Sequence, residues 1–248
     1  MTRGESNAPG KSNARGQSNV IGVALLLGVV MLSLASLTAS VGMVVQSNAA
    51  TADAARVATD MNRALDPVEV TGIHRGRVAF SAGALTTEPR ELRVLNESGT
   101  VRVVRVDAFV FTNGDRRVTD LAGAVVQGTG DAGRMDARPP ITSSERGGVL
   151  VVGAAKLNAS GRTVVSKRGE SAVVRTNVTH DRTALGNGTY RVAVETKTPD
   201  AWGRYFERQN ATTTTRDFDG DGIPSVVARY PGTRFCYLVV HDMHMEVL

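Results

Sequence analysis

The sequence predicts a mainly β protein carried on one long N-terminal helix. Three observations predict it. A run without Asp, Glu, Lys or Arg extends from Gly16 to Ala52. Near Pro67 the apolar pattern changes from helical spacing to alternation, and short Val-, Thr- and Arg-rich segments separated by Gly-containing turns follow to the end of the chain.

The helix comes first. Its apolar core, Val20 to Val45, is 26 residues. At helical rise it reaches about 39 Å, more than the roughly 30 Å hydrocarbon core of a bilayer. Cleaved secretory signals have apolar cores of only about 7–15 residues, so residues 17–45 read as a retained transmembrane helix. The leader, residues 1–16, carries Arg3, Lys11 and Arg15 against Glu5. A basic flank stays cytoplasmic, which predicts a single-pass protein of the cell membrane whose chain beyond Val45 is extracellular.

The one plausible processing point, Gly16-Gln17, lies before the apolar run, so a cut there removes a hydrophilic leader and keeps the helix. The segment Arg15 to Gly22, RGQSNVIG, resembles the N-termini of archaeal type IV pilins and archaellins, especially those of salt-loving archaea. The resemblance covers about the first 50 residues. It implies a class III signal read by a prepilin peptidase, and other pilin-like subunits as partners. Bacterial type IV pilins place a glutamate early in the mature helix; Gln17 to Ser47 has no acid, so their mode of helix docking does not carry over. The plainer alternative is an uncut signal anchor.

Within the helix, Ala24, Gly28, Ala35, Ala39 and Gly42 fall inside an arc of about 60° at 100° per residue. Such a stripe lets another backbone approach closely and suits a helical bundle in lipid. Residues 46–66 continue as an amphipathic stalk helix. Val57, Met61 and Leu65 recur every four residues, with Asp53, Arg56, Asp60 and Arg63 on the polar faces. Pro67 ends it.

From residue 67 to 248 the pattern predicts one β-sandwich-like extracellular domain. Candidate strands are Val68 to His74, Arg77 to Ser81, Glu91 to Leu95, Thr100 to Thr112, Gly148 to Leu157, Arg162 to Ser166, Ala172 to Thr179, Thr189 to Thr196, Val226 to Tyr230 and Thr233 to Leu248. Asn113-Gly114-Asp115 and Gly186-Asn187-Gly188 read as turns between strands. Residues 127–148, Gly-rich with Pro139-Pro140, read as an exposed loop. One short helix interrupts the strands, with Thr198 as cap and Pro199 in its first turn. Its Trp202, Tyr205 and Phe206 are predicted to plug the end of the β core.

The single cysteine, Cys236, cannot form an intramolecular disulfide and reads as a buried structural thiol. A domain of this length buries enough apolar surface without one. Asn-X-Ser/Thr sequons occur at Asn96, Asn158, Asn177, Asn187 and Asn210, and of the asparagines beyond residue 95 only Asn113 lacks one. Such density predicts N-glycosylation at exposed positions. The formal net charge is +5, and the basic residues are overwhelmingly Arg. These arginines are spread along strands and not interleaved with aromatics, which argues against nucleic acid as a partner.

One local constellation suits ion chemistry. Asp217, Asp219 and Asp221 alternate through DFDGDGIPS; the Ile223 carbonyl and Ser225 can add oxygens, and Gly222 permits the sharp turn. This resembles the first half of EF-hand and related calcium loops, implying calcium as the one cofactor. Ala228 stands where an EF-hand has its bidentate Glu, and the flanks are β-like. His241 and His244 read as ordinary strand residues, since positions three apart in a strand face opposite sides. No nucleophile-elbow, zincin, Walker or dinucleotide pattern occurs, and the chain is not expected to be an enzyme. The expected function is a pilin-like structural or adhesive surface protein. The alternative is a non-polymerising, membrane-anchored binding module that uses the Asp loop or the Trp202 helix; a third is a membrane-tethered hydrolase.

Overall fold

The sequence predicts two helical segments ahead of the strands, and they form one uninterrupted helix, α1 (Ala14–Leu65). The structure, a computed structural model, describes residues 14–129, 132–161, 164–166 and 169–248. The chain divides into two compact units, Met1–Asn48 and Ala49–Leu248, and α1 contributes to both.

In the first unit the large apolar side chains from Val23 to Val45 stand exposed, Leu32 by 73%. Among the described residues, α1 is the one helix long and apolar enough to cross a membrane. The hydroxyls of Ser33, Thr38 and Ser40 donate to the carbonyls of Val29, Leu34 and Ser36 over 2.8–2.9 Å. No unpaired hydroxyl from these three would then burden a helix in hydrocarbon.

In the second unit the same helix is core. Ala54, Val57, Ala58, Met61, Ala64 and Leu65 are buried, at the three- and four-residue spacing of one helical face. They join Val78, Phe80, Leu85, Phe109, Phe111, Val118 and Val174 in one cluster. The stalk is therefore an interior element of the β unit and begins at Ala49, where the sequence reading treats residues 46–66 as separate from a domain starting at 67.

Three sheets make up the β unit. A seven-stranded sheet comprises β1 (Gly72–Phe80), β9 (Ile141–Ser144), β10 (Val149–Lys156), β11 (Ser160–Gly161), β13 (Glu170–Gly188), β17 (Arg234–Asp242) and β18 (Glu246–Val247). The long strand β13 pairs along its first half with β1 and along its second with β17, and β10 runs parallel to β17. A six-stranded sheet has the order β12 (Val164–Ser166), β2 (Gly83–Glu88), β5 (Ala108–Asn113), β6 (Arg116–Leu121), β7 (Ala124–Thr129), β8 (Ala132–Ala137). The five-stranded sheet, in order, is β15 (Thr212–Arg216), β16 (Ser225–Arg229), β14 (Arg191–Glu195), β3 (Glu91–Asn96), β4 (Gly99–Arg105). The second helix, α2 (Pro199–Glu207), lies between β14 and β15 in the chain. The unit is thus mainly β, as the alternation and Gly turns predicted, with the end of α1 in its core and one short second helix.

Polar contacts fix α1 against β1. Asp53 Oδ2 accepts from the Ser81 and Ala82 amides, Asp53 Oδ1 from the Ser81 hydroxyl, and Asp60 Oδ2 from the Ala79 amide. The approach is close enough that a Cβ added at Gly76 would lie 2.3 Å from the Ala64 Cβ.

Several local expectations are corrected. Residues 127–148 are not an exposed loop: β8 and β9 lie there, and Ile141 is fully buried. The reason is alternation, with Gly133, Met135 and Ala137 half-buried between exposed Ala132, Arg134 and Asp136. The predicted strand Thr100 to Thr112 is two strands in different sheets, because the Val106 and Asp107 amides both bond the Arg90 carbonyl and Asp107 adopts a φ of +53°. Val68 to His74 and Arg77 to Ser81 instead give a 3₁₀ turn, Asp66–Glu69, followed by the single strand β1. Gly186-Asn187-Gly188 lies inside β13, where Gly186 at φ +83° accommodates a bulge. Thr233 to Leu248 breaks at Met243 to Met245, whose end amides bond the Lys156 and Leu157 carbonyls.

Candidate metal centre

The five-stranded sheet has two chemically different faces. Leu92, Val94, Val192, Val194, Val226 and Ala228 point into the core. By alternation, Glu91, Arg93, Leu95, Ala193, Glu195, Arg216, Ser225 and Val227 share the opposite face. In the register Ser225 stands across from Glu195 on one side and Arg216 on the other, and Ala193 stands across from Arg93 and Val227.

The connection from β15 to β16, residues 217–224, folds back over this face. Phe218 packs on the small cluster of Leu95, Ala193 and Val227. The guanidinium carbons of Arg93 and Arg216 lie 4.8 and 4.7 Å from its ring centroid. Docking Phe218 brings Asp219 in: its Oδ2 is 3.3 Å from Arg93 Nη2, which is also 2.5 Å from Glu91 Oε2.

Two overlapping sets of carboxylates result. Glu91, Glu195 and Asp219 each offer an oxygen within 4.8 Å of the others, and so do Asp217, Asp219 and Asp221. Asp217 accepts from the Gly220 and Gly222 amides, at 2.8 and 3.1 Å, and Asp221 from the Ile223 amide at 2.8 Å. The first two bonds hold the Asp217 carboxyl below the usual carboxylate range. Burial, reinforced by Asp219 and Asp221 and opposed by Arg90, pushes the Glu195 carboxyl up. Gly220 and Gly222, at φ +77° and +83°, supply the left-handed conformations the tight loop needs.

Of the residues the sequence singled out, Asp217, Asp219 and Asp221 are brought together. Ser225 is buried at the start of β16, and its hydroxyl has no partner among the described residues. Glu91 and Glu195 were missed. They are 104 residues apart in sequence and meet only through strand pairing, where the Glu91 amide bonds Glu195 Oε2.

Asn158, Asn177, Asn187 and Asn210 are exposed and Asn96 is half-buried. Ala24, Gly28, Ala35, Ala39 and Gly42 are exposed, with open space around Gly28 and Gly42. Gly16 and Gln17 fall near the start of α1, and the leader through residue 13 lies outside the described residues. His241 pairs with His180 across the sheet at 3.0 Å and His244 bonds Asn158, so the two do not share a site. Cys236 is buried, which pushes its thiol up to about 12.

Trp202 and Phe206 are fully buried in the core cluster, and Tyr205 donates to the Ile141 carbonyl at 2.5 Å. They plug the core as predicted, so the three rings are not open to a ligand. Thr198 makes no side-chain cap; its hydroxyl bonds Thr196 instead.

A family model described as a family of unknown function, DUF7289, matches residues 15–246. The chain belongs to DUF7289. No curated protein matches it, and no solved structure does. The DUF7289 match takes in the apolar segment of α1, the β unit and the carboxylate loop together.

Proposed function

We propose that this DUF7289 member is a pilin-like cell-surface subunit, structural or adhesive. Its apolar helix is held in a membrane or filament core and its β unit is displayed outside the cell. The observation that carries the reading is the double use of α1. One helix offers an uncovered apolar segment and then becomes the buried spine of a β unit, clasped by Asp53 and Asp60. A mere tether needs no such interior anchoring. Exposed asparagines at four of five sequons support glycosylation and an extracellular β unit, and the basic leader supports a cytoplasmic N-terminus.

Mass spectrometry of the chain purified from its native membrane tests this. The expected mature N-terminus is Gln17, left by a prepilin peptidase, with glycan mass on the β unit. An intact Met1 leader overturns the pilin pathway. A second reading, an anchored binding module that does not polymerise, is favoured by the carboxylate cluster; an uncut leader with ion-dependent behaviour of the β unit is its signature.

A further inference from the structure

Ser225 is 1% exposed, and its Oγ finds no hydrogen-bond partner among the described residues. A buried hydroxyl left unmet is costly, and natural structures rarely keep one without a reason. Its position supplies that reason. Directly opposed residues of an antiparallel pair raise their side chains from the same face, so Ser225 stands beside Glu195. Glu195 belongs to one set of converging carboxylates, and Asp219 joins that set to Asp217 and Asp221.

The charge is unbalanced in the same place. Arg93 pairs with Glu91 and Asp219, and Arg90 approaches Glu195 at 3.8 Å. Asp217 and Asp221 form no ion pair among the described residues, although they stand next to Asp219. Carboxylates held this close favour a cation between them. The donors are all oxygen, without a thiolate or imidazole, which selects a hard ion. Four carboxylates, one hydroxyl and a loop carbonyl suit the larger, more variable oxygen shell of calcium better than the tight octahedron of magnesium, which keeps several of its waters.

We propose that Asp217, Asp219 and Asp221, completed from the sheet by Glu195 and Ser225, bind one calcium ion. The loop contributes charge and the Ile223 carbonyl. The sheet contributes a fixed wall, against which Phe218 and Arg93 hold the loop. Calcium therefore ties the β15–β16 connection to β14 through Glu195. The proposal is independent of whether the chain polymerises.

The test uses the full chain in detergent, stripped with a chelator and titrated with calcium chloride and, separately, magnesium chloride. Isothermal titration calorimetry is expected to give one calcium per chain with weaker magnesium binding, and calcium is expected to raise the melting temperature. Asp221→Asn keeps an acceptor for the Ile223 amide and lowers calcium affinity at least about tenfold, since affinity follows ligand charge. Ser225→Ala weakens calcium binding severalfold without lowering the melting temperature of the stripped protein, a pattern that a purely structural serine would not give. No heat and no melting shift at millimolar calcium overturns the site. So does wild-type affinity in Asp221→Asn, and equal affinity for magnesium overturns the assignment to calcium. Unchanged affinity in Ser225→Ala removes the sheet from the ligand set and overturns the composite site.

Discussion

Asp53 and Asp120 are both buried aspartates, and they differ in their hydrogen-bond partners. Asp53 accepts three hydrogen bonds from Ser81 and Ala82, so its burial is matched by donors. Asp120, in β6, is 2% exposed and its Oδ1 has no partner among the described residues. Burial alone pushes its carboxyl up to about 7. A carboxyl raised in the folded state is neutral there at low pH and ionises more readily on unfolding. Stability from this group is therefore full below about pH 4 and is lost as pH rises toward 7, by an amount on the order of 3–4 kcal/mol. Replacing Asp120 with Asn removes the dependence: across pH 4 to 7 the melting temperature of the wild type is expected to fall relative to the variant. Parallel curves would show that Asp120 is solvated or paired. Nothing in the residue's sequence neighbourhood, Arg117 to Leu121, announces that it is buried; both faces of β6 are covered from Val118 to Leu121, and Asp120 stands across from Phe109.

At the scale of elements, the legible features were those with local causes. The strands Glu91 to Leu95, Gly148 to Leu157, Thr189 to Thr196 and Val226 to Tyr230 agree with β3, β10, β14 and β16 within one or two residues. Their apolar alternation or β-branched runs are strong, and Gly or Pro lies near their ends. The sequence hid elements whose signal is composition-poor, such as β8, where Gly and Ala alternate with charge. It also hid the break at Val106-Asp107, which depends on the distant Arg90 carbonyl. Gly76 illustrates a requirement that only packing reveals, because its hydrogen stands where a side chain would strike Ala64. Gly76→Val is expected to destabilise the β unit by about 1–3 kcal/mol, the usual cost of overpacking. Pairing it with Ala64→Gly should recover part of the loss. Chemical denaturation of the two variants measures both, and full additivity would mean that the two positions do not touch.

At the scale of the whole molecule, the segment of α1 long and apolar enough to cross a membrane was legible because length and apolarity are properties of contiguous residues. The candidate centre was legible only by half. Asp217, Asp219 and Asp221 lie within one loop and declare themselves by spacing, whereas Glu91 and Glu195 arrive from other strands and need the fold. The small-residue stripe makes its own prediction under the proposed function. Gly28→Leu with Ala35→Leu fills open space beside α1, so it is expected to leave membrane retention intact while abolishing sedimentable assemblies. Assemblies of unchanged yield would show that another face of the helix, or the β unit alone, makes the contacts.

The cluster around α1 includes Met243, Met245 and Val247 at the far end of the chain. Residues 54–65 are synthesised early, yet their lining is finished only when the last strand, β18, pairs with β13. Contacts of such long sequence separation form slowly. The β unit thus closes around its spine only after β18 has been made. Until then an apolar helix face and unpaired strands stay open together, which sets a window in which aggregation competes with closure.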